Sequence, residues 1–130
     1  MTTTVKTLKV TRRQAAYKIV GTGLGNVSIY DALYGDQTID AVNVKLTITS
    51  LAYDVGNSAN ITRNGNVIFN MTAGQTEFNF TEHLGIVFDE DANSNVTVNL
   101  GATPGTVILQ FSKEAGYTDP DRQILQPMDR

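Results

Sequence analysis

The chain has 130 residues, a formal net charge of −3, one histidine and no cysteine. It therefore has no disulfide framework and no zinc site of the usual Cys/His kind. No apolar run approaches the ~20 residues of a membrane span, no basic patch is dense enough for nucleic acid, and Met1 to Lys6 lacks the apolar stretch of a secretory leader.

A chain of this size fits one domain and buries roughly 65–70% of the surface that its unfolded form exposes. Thr, Asn, Val and Gly are plentiful, while Glu and Lys are scarce. That balance favours strands and turns over helices.

Val5 to Val10 reads as a first strand or an extended arm, because Lys6 and Lys9 interrupt its alternation. After Arg12-Arg13, a solvated strand end that could also meet an acidic partner, Gln14 to Val20 alternates with Tyr17 and Ile19 on one face, which predicts a strand. Gly21-Thr22-Gly23-Leu24-Gly25 resembles a phosphate-cradling loop only superficially. Asn26 spoils the spacing and no helix-forming run follows, so a flexible turn is predicted. Val27 to Tyr30 is read as another strand, and Tyr30 to Thr38 as a polar connection holding Tyr34, Gly35 and Asp36.

Val42, Val44, Leu46 and Ile48 alternate with polar residues, the cleanest strand pattern in the chain. After Ser50 the phase flips to Leu51, Tyr53 and Val55. A bulge or bend near Thr49-Ser50 is predicted, where the strand could pass from one sheet to the other. Ile61 to Met71 reads as a hairpin turning at Asn64-Gly65, the residues that most readily take positive φ at both central positions. A strand at Thr76 to Phe80 follows. Phe69, Phe78 and Phe80 are core candidates, since aromatic side chains dominate small cores. His83 is expected to be a surface or hydrogen-bonded histidine, and Gly85 to Phe88 a short buried strand.

Asp89, Asp91, Asn93 and Asn95 place oxygen ligands at alternate positions, as the start of a calcium loop does. Ser94 stands where the sharp-turn glycine belongs and Leu100 where the closing glutamate belongs, so a solvated loop competes with calcium. Val96 to Leu100 and Thr106 to Phe111 are predicted strands joined as a hairpin by Gly101 to Gly105. Val107, Leu109 and Phe111 share one face. Five N-x-S/T sequons, at Asn26, Asn60, Asn70, Asn79 and Asn95, are expected from strands with an Asn/Thr polar face.

The expected fold is all-β: an antiparallel β-sandwich or barrel of about seven to nine short strands with extended N- and C-terminal segments. Residues 1–116 form the β-domain and residues 117–130 an extended C-terminal arm. Pro120 and Pro127 deny that arm regular structure. Yet it keeps Ile124, Leu125 and Met128, which with Tyr117 form the predicted partner-binding set; a disordered tail is the other reading. A Ser-His-Asp triad would have to use His83, and no serine sits in a nucleophile-elbow context. Asp31, Asp36, Asp40 and Glu77 form no recognisable acid–base pair, so no enzyme and no cofactor are expected.

The segment from Ile61 to Lys113 resembles small structural proteins of tailed bacteriophages, especially those of marine hosts. The resemblance lies in the Ile61-Thr62-Arg63-Asn64-Gly65 hairpin and the Phe78-Asn79-Phe80 strand. It is completed by Thr106-Val107-Ile108-Leu109-Gln110-Phe111-Ser112-Lys113-Glu114-Ala115-Gly116-Tyr117, and it covers under half of the chain. Arg13 to Ile19 is similar in flavour. The resemblance implies an all-β virion component, made in the bacterial host cytoplasm, that decorates or cements the head. Its implied partners are the major capsid protein or copies of itself, as a homotrimer, with no nucleic acid and no membrane. A carbohydrate- or cell-surface-binding β-sandwich module of a fibre is the alternative, for which Tyr30, Tyr34, Tyr53 and Tyr117 are the available stacking residues.

Overall fold

The structure, a computed structural model, describes residues 3–79 and 92–118. Strand β1 (Thr4–Val10) leads into β2 (Gln14–Gly21) and β3 (Leu24–Val27). A 3-10 helix (Ile29–Ala32) precedes β4 (Thr38–Ile39), β5 (Lys45–Val55), β6 (Ala59–Arg63) and β7 (Asn66–Met71). Then come β8 (Gly74–Asn79), β9 (Val96–Asn99), β10 (Gly105–Ala115) and β11 (Tyr117–Thr118). Among the described residues nine strands have four residues or more, while β4 and β11 have two each.

The strands form a five-stranded sheet, β1-β2-β10-β5-β8, a four-stranded sheet, β3-β9-β6-β7, and the small pair β11-β4. Every pairing is antiparallel, so the chain adopts the expected all-β architecture. Among the described residues no helix is long and apolar enough to cross a membrane.

The two larger sheets share one core. From the large sheet come Ala15, Tyr17 and Ile19 of β2, the β5 set, and Val107, Leu109 and Phe111 of β10. From the small sheet come Val27, Ala59, Ile61, Met71, Val96 and Val98. Tyr17 and Phe111 meet edge to face, with ring centroids 5.8 Å apart. Alternation is the cause: residues two apart on a strand share a face, and here that face is apolar.

The phase flip in β5 is absorbed as expected by a bulge. Gln110 pairs with Ser50 and Phe111 with Ile48, which leaves Thr49 as the extra residue. Its hydroxyl donates to Gln110 O at 3.2 Å. Leu46, Ile48, Leu51, Tyr53 and Val55 consequently all face the core. The strand does not change sheets, however. It stays paired with β10 from Lys45 to Val55. The hairpin between β6 and β7 also turns where expected, with φ of 52° at Asn64 and 78° at Gly65.

Other expectations need correction. Val27 to Tyr30 is not a strand, because β3 stops at Val27 and Ser28 caps the 3-10 helix. Ser28 Oγ accepts from Tyr30 N–H at 3.1 Å, and Asp31 Oδ2 accepts from Ser28 N–H at 2.8 Å, a reciprocal cap. Between β2 and β3 the turn is Thr22-Gly23 alone, with Leu24 and Gly25 already in β3.

Val42 precedes β5 and is 77% exposed. It sits in a turn where Asp40 accepts from the Val42 and Asn43 N–H groups and from Asn43 Nδ2. Those bonds, the Asn43 side chain first, hold the Asp40 carboxyl below its ordinary range. Gly101 to Gly105 is not a hairpin loop. It carries the chain from β9 in the small sheet to β10 in the large one. Both edges of β10 are taken by β2 and β5, which leaves none for β9. Phe78 lies at the rim, 37% exposed, with its ring against Tyr53 and Phe69. Phe80, His83 and the strand expected at 85–88 lie outside the described residues.

Candidate functional site

Three places on the body carry more chemistry than packing requires. The first is internal. Arg63 ends β6 in phase with Ala59 and Ile61, so its side chain points into the core and has no exposed surface. Its Nη1 donates to Leu46 O at 2.6 Å, and its Nη2 to Ala92 O at 2.9 Å and Ser94 O at 2.7 Å. Nε adds a bond to Ser94 O at 3.2 Å. The planar fork of a guanidinium can serve several carbonyls at once, which a lysine cannot. Arg63 thereby ties the turn at 92–95 to β5.

Two residues of the acidic stretch lie in that turn. Asn95 Oδ1 accepts from Ile29 N–H at 2.9 Å, and Asn93 Nδ2 donates to Val42 O at 3.2 Å. Both side chains thus brace neighbouring backbone. Asp89 and Asp91 lie outside the described residues. Among the described residues no group of three or more His, Cys, Asp or Glu is placed to hold a metal ion.

The second place is the base of the C-terminal segment. Tyr117 and Thr118 pair with Ile39 and Thr38, so the described body runs through Thr118 rather than stopping at Gly116. The Tyr117 hydroxyl donates to Ile29 O at 2.6 Å. Lys113 Nζ lies 5.0 Å from the Tyr117 ring centroid, within cation–π range. The same ammonium donates to Thr11 O at 2.6 Å and Gln37 Oε1 at 2.8 Å. Gln37, buried, passes the chain of bonds on through Nε2 to Arg12 O at 3.0 Å. Burial is the main reason that the Tyr117 phenol is pushed above its ordinary value.

Beside this base, the exposed Arg12 and Arg13 line a surface depression of about 490 Å³ with Thr11, Gln14 and Tyr34. Of the predicted partner-binding set, Tyr117 is thus half-buried in the body; Ile124, Leu125 and Met128 lie outside the described residues. Of the tyrosines considered for sugar stacking, Tyr53 is buried, while Tyr30 and Tyr34 are exposed.

The third place is the outer face of the large sheet. Cross-strand partners share a face. The register therefore sets Lys6, Lys18, Ile108, Ala52 and Glu77 in one row across all five strands. The adjacent row is Thr4, Val20, Thr106, Asp54 and Gln75. A shallow depression of about 400 Å³ runs along the β10-β5-β8 side, lined by Ala52, Asp54, Gln75, Glu77, Thr106 and Ile108 among others.

Sequence reasoning passed over Arg63 and this outer face. Arg63 was detectable as the third member of the Ala59, Ile61, Arg63 alternation. The outer face was not, because its rows exist only once strand order is known.

No protein-family model matches the chain, and no curated protein matches it in sequence. Among solved structures, it is similar to an uncharacterised conserved protein with a double-stranded β-helix domain from Klebsiella pneumoniae. That match has 11% identity and a TM-score of 0.41 and covers 89% of this chain and 82% of the other. A cupin superfamily protein from Desulfitobacterium hafniense matches at 10% identity and a TM-score of 0.36, over 86% and 77% of the two chains. The PA14 sugar-binding domain of an RTX adhesin matches at 13% identity and a TM-score of 0.29, over 81% and 50%.

Proposed function

We propose that this protein is a non-enzymatic structural component of a bacteriophage virion, a decoration or cement protein that binds the major capsid protein. The observation that carries the reading is the braced base at Tyr117. Residues 119–130 continue from a point held by β-pairing, by the Tyr117 hydroxyl and by Lys113. A segment with Ile124, Leu125 and Met128 and two prolines gains most by burial on a neighbour, at about 25 cal/mol per Å² of apolar area. Ordering such a segment costs roughly 1–2 kcal/mol per residue, so one site binds modestly. Repetition on a lattice offsets this through effective concentration. The adjacent Arg12-Arg13 surface suits an acidic partner and would orient the encounter. The phage resemblance of the segment from Ile61 to Lys113 supports the setting, and with it the trimeric arrangement where capsomers meet.

Virions that encode this chain, purified and analysed by mass spectrometry and cryo-electron microscopy, should carry it on the outside of the head. A chain ending at Thr118 should fold yet bind capsids more weakly than the full chain. Absence of the protein from virions, or undiminished binding by the shortened chain, would overturn the reading.

A further inference from the structure

We infer that the outer face of the large sheet is a self-complementary surface that pairs with the same face of a second copy about a two-fold axis. This does not depend on the virion reading.

The face is divided by charge. Lys6 and Lys18 are directly opposite each other at the β1-β2 side. Asp54 and Glu77 are diagonal neighbours at the β5-β8 side. Among the described residues none of these four side chains is held by an ion pair or a hydrogen bond. Like charges set directly opposite each other across strands are destabilising. The chain nevertheless gathers two cations at one side and two carboxylates at the other, with no opposite charge between them in either row.

Between the two charged sides runs an apolar strip. Val20 and Ile108 are each 37% exposed, and Ala52 lies beside Ile108. Ile108 sits on β10, the central strand of the five. A two-fold axis parallel to the strands and passing over β10 leaves each row level with itself and exchanges its ends. Ile108 then meets Ile108 of the second copy. Lys6 meets Glu77 of the second copy, and Lys18 lies beside its Asp54. Each of these four charges gains an opposite neighbour, and both copies use the same patch, as two-fold symmetry demands. A head-to-tail arrangement or a three-fold ring would not place the two ends of one row on each other.

Strand spacing and rise give a contact of about 400 Å² per copy. That is about half of what each partner buries in a standard stable interface, so the pair is weak, transient and concentration-dependent. Charge separation with a small apolar centre also makes it sensitive to salt, because exposed pairs are screened.

The test uses the intact 130-residue chain in analytical ultracentrifugation, from micromolar to near-millimolar concentration. The wild-type chain should form dimers, with self-association weakened about tenfold on moving from low to high salt. Lys6→Glu with Lys18→Glu should weaken it by a similar factor, as should Asp54→Lys with Glu77→Lys, each variant checked for folding by circular dichroism. An equimolar mixture of the two variants should restore dimers, since each now offers the charge that the other lacks. Three results would overturn the inference. They are a wild-type chain that stays monomeric throughout, an assembly of other order indifferent to salt and to both reversals, and a mixture of folded variants that does not re-associate. The salt series on the wild type decides the matter even where a reversed variant fails to fold.

Discussion

Arg63 carries a positive charge at a position with no exposed surface, and the carbonyls of Leu46, Ala92 and Ser94 receive its guanidinium. Arg63→Met keeps the bulk but strands those carbonyls, at a cost of about 2–4 kcal/mol. The melting temperature should fall by roughly 10 °C. Arg63→Lys should recover only part of the loss, because one ammonium cannot span all three acceptors. Two phenols make the opposite pair of cases. Among the described residues Tyr17 Oη is buried with no hydrogen-bond partner, whereas Tyr117 Oη donates to Ile29 O. Tyr17→Phe should be neutral or stabilising by up to about 1 kcal/mol, and Tyr117→Phe destabilising by about 1 kcal/mol, as read from denaturant unfolding. Burial is the first cause that pushes both phenols above their ordinary value of 10.0. A raised pKa means that the unfolded chain gives up these protons first. Their contribution is full below pH 10 and is lost as pH rises through the higher native values. Stability should therefore decline above about pH 10, and the double Tyr→Phe chain should decline less steeply.

At the scale of elements, turns and bulges do most to place the strands. Gly116 joins β10 to β11 with φ of 87°, and a Cβ there would stand 2.3 Å from Val44 Cα. Gly65 also has positive φ, but among the described residues nothing lies within 4 Å of its would-be Cβ. Gly65→Ala should thus cost about 1 kcal/mol, from backbone strain alone. Gly116→Ala should cost more, because backbone must move, and should expose the Tyr117 ring to solvent, read as a change in tyrosine fluorescence. The β6-β7 hairpin and the Thr49 bulge were legible in the sequence for the same reason: each is written in a few adjacent residues. The 3-10 helix was missed because Val27, Ile29 and Tyr30 look strand-like, although Ser28 and Asp31 spell its cap. Partnership between strands was not legible at all. Alternation tells which residues face inward but not which strand lies alongside, so β9 and β10, neighbours in sequence, were expected to pair and do not. Arg63 was hidden by a general truth, that a charged residue beside a turn is usually solvated.

For the whole molecule, the deciding strand comes late. β10 occupies the middle of the large sheet, with β2 on one side and β5 on the other. Its pairings with β2 join residues far apart in the chain, from Gly105 with Gly21 to Ser112 with Gln14. Without β10 the large sheet separates into two pairs, and Val107, Leu109 and Phe111 leave the core. A chain ending at residue 104 should show no cooperative thermal unfolding. The full chain should refold in the slow range of about milliseconds to seconds that non-local strand pairing imposes.

The same central strand sets how the body bears tension. β10 is bonded to β2 from Gly105 to Ser112 and to β5 from Gly105 to Ala115. A pull arriving through residues beyond Thr118 first meets the two residue pairs of β11-β4 and the Tyr117 hydroxyl. Those links are few and yield early. Behind them, a pull along β10 loads its hydrogen bonds on both sides in shear, because in an antiparallel ladder they lie across the strand. They share the force, and none opens before the rest. A pull at right angles would instead unzip the pairs one after another. The body is therefore toughest along one axis and carries a yielding first link at its C-terminal base, which can give way while both sheets stay closed.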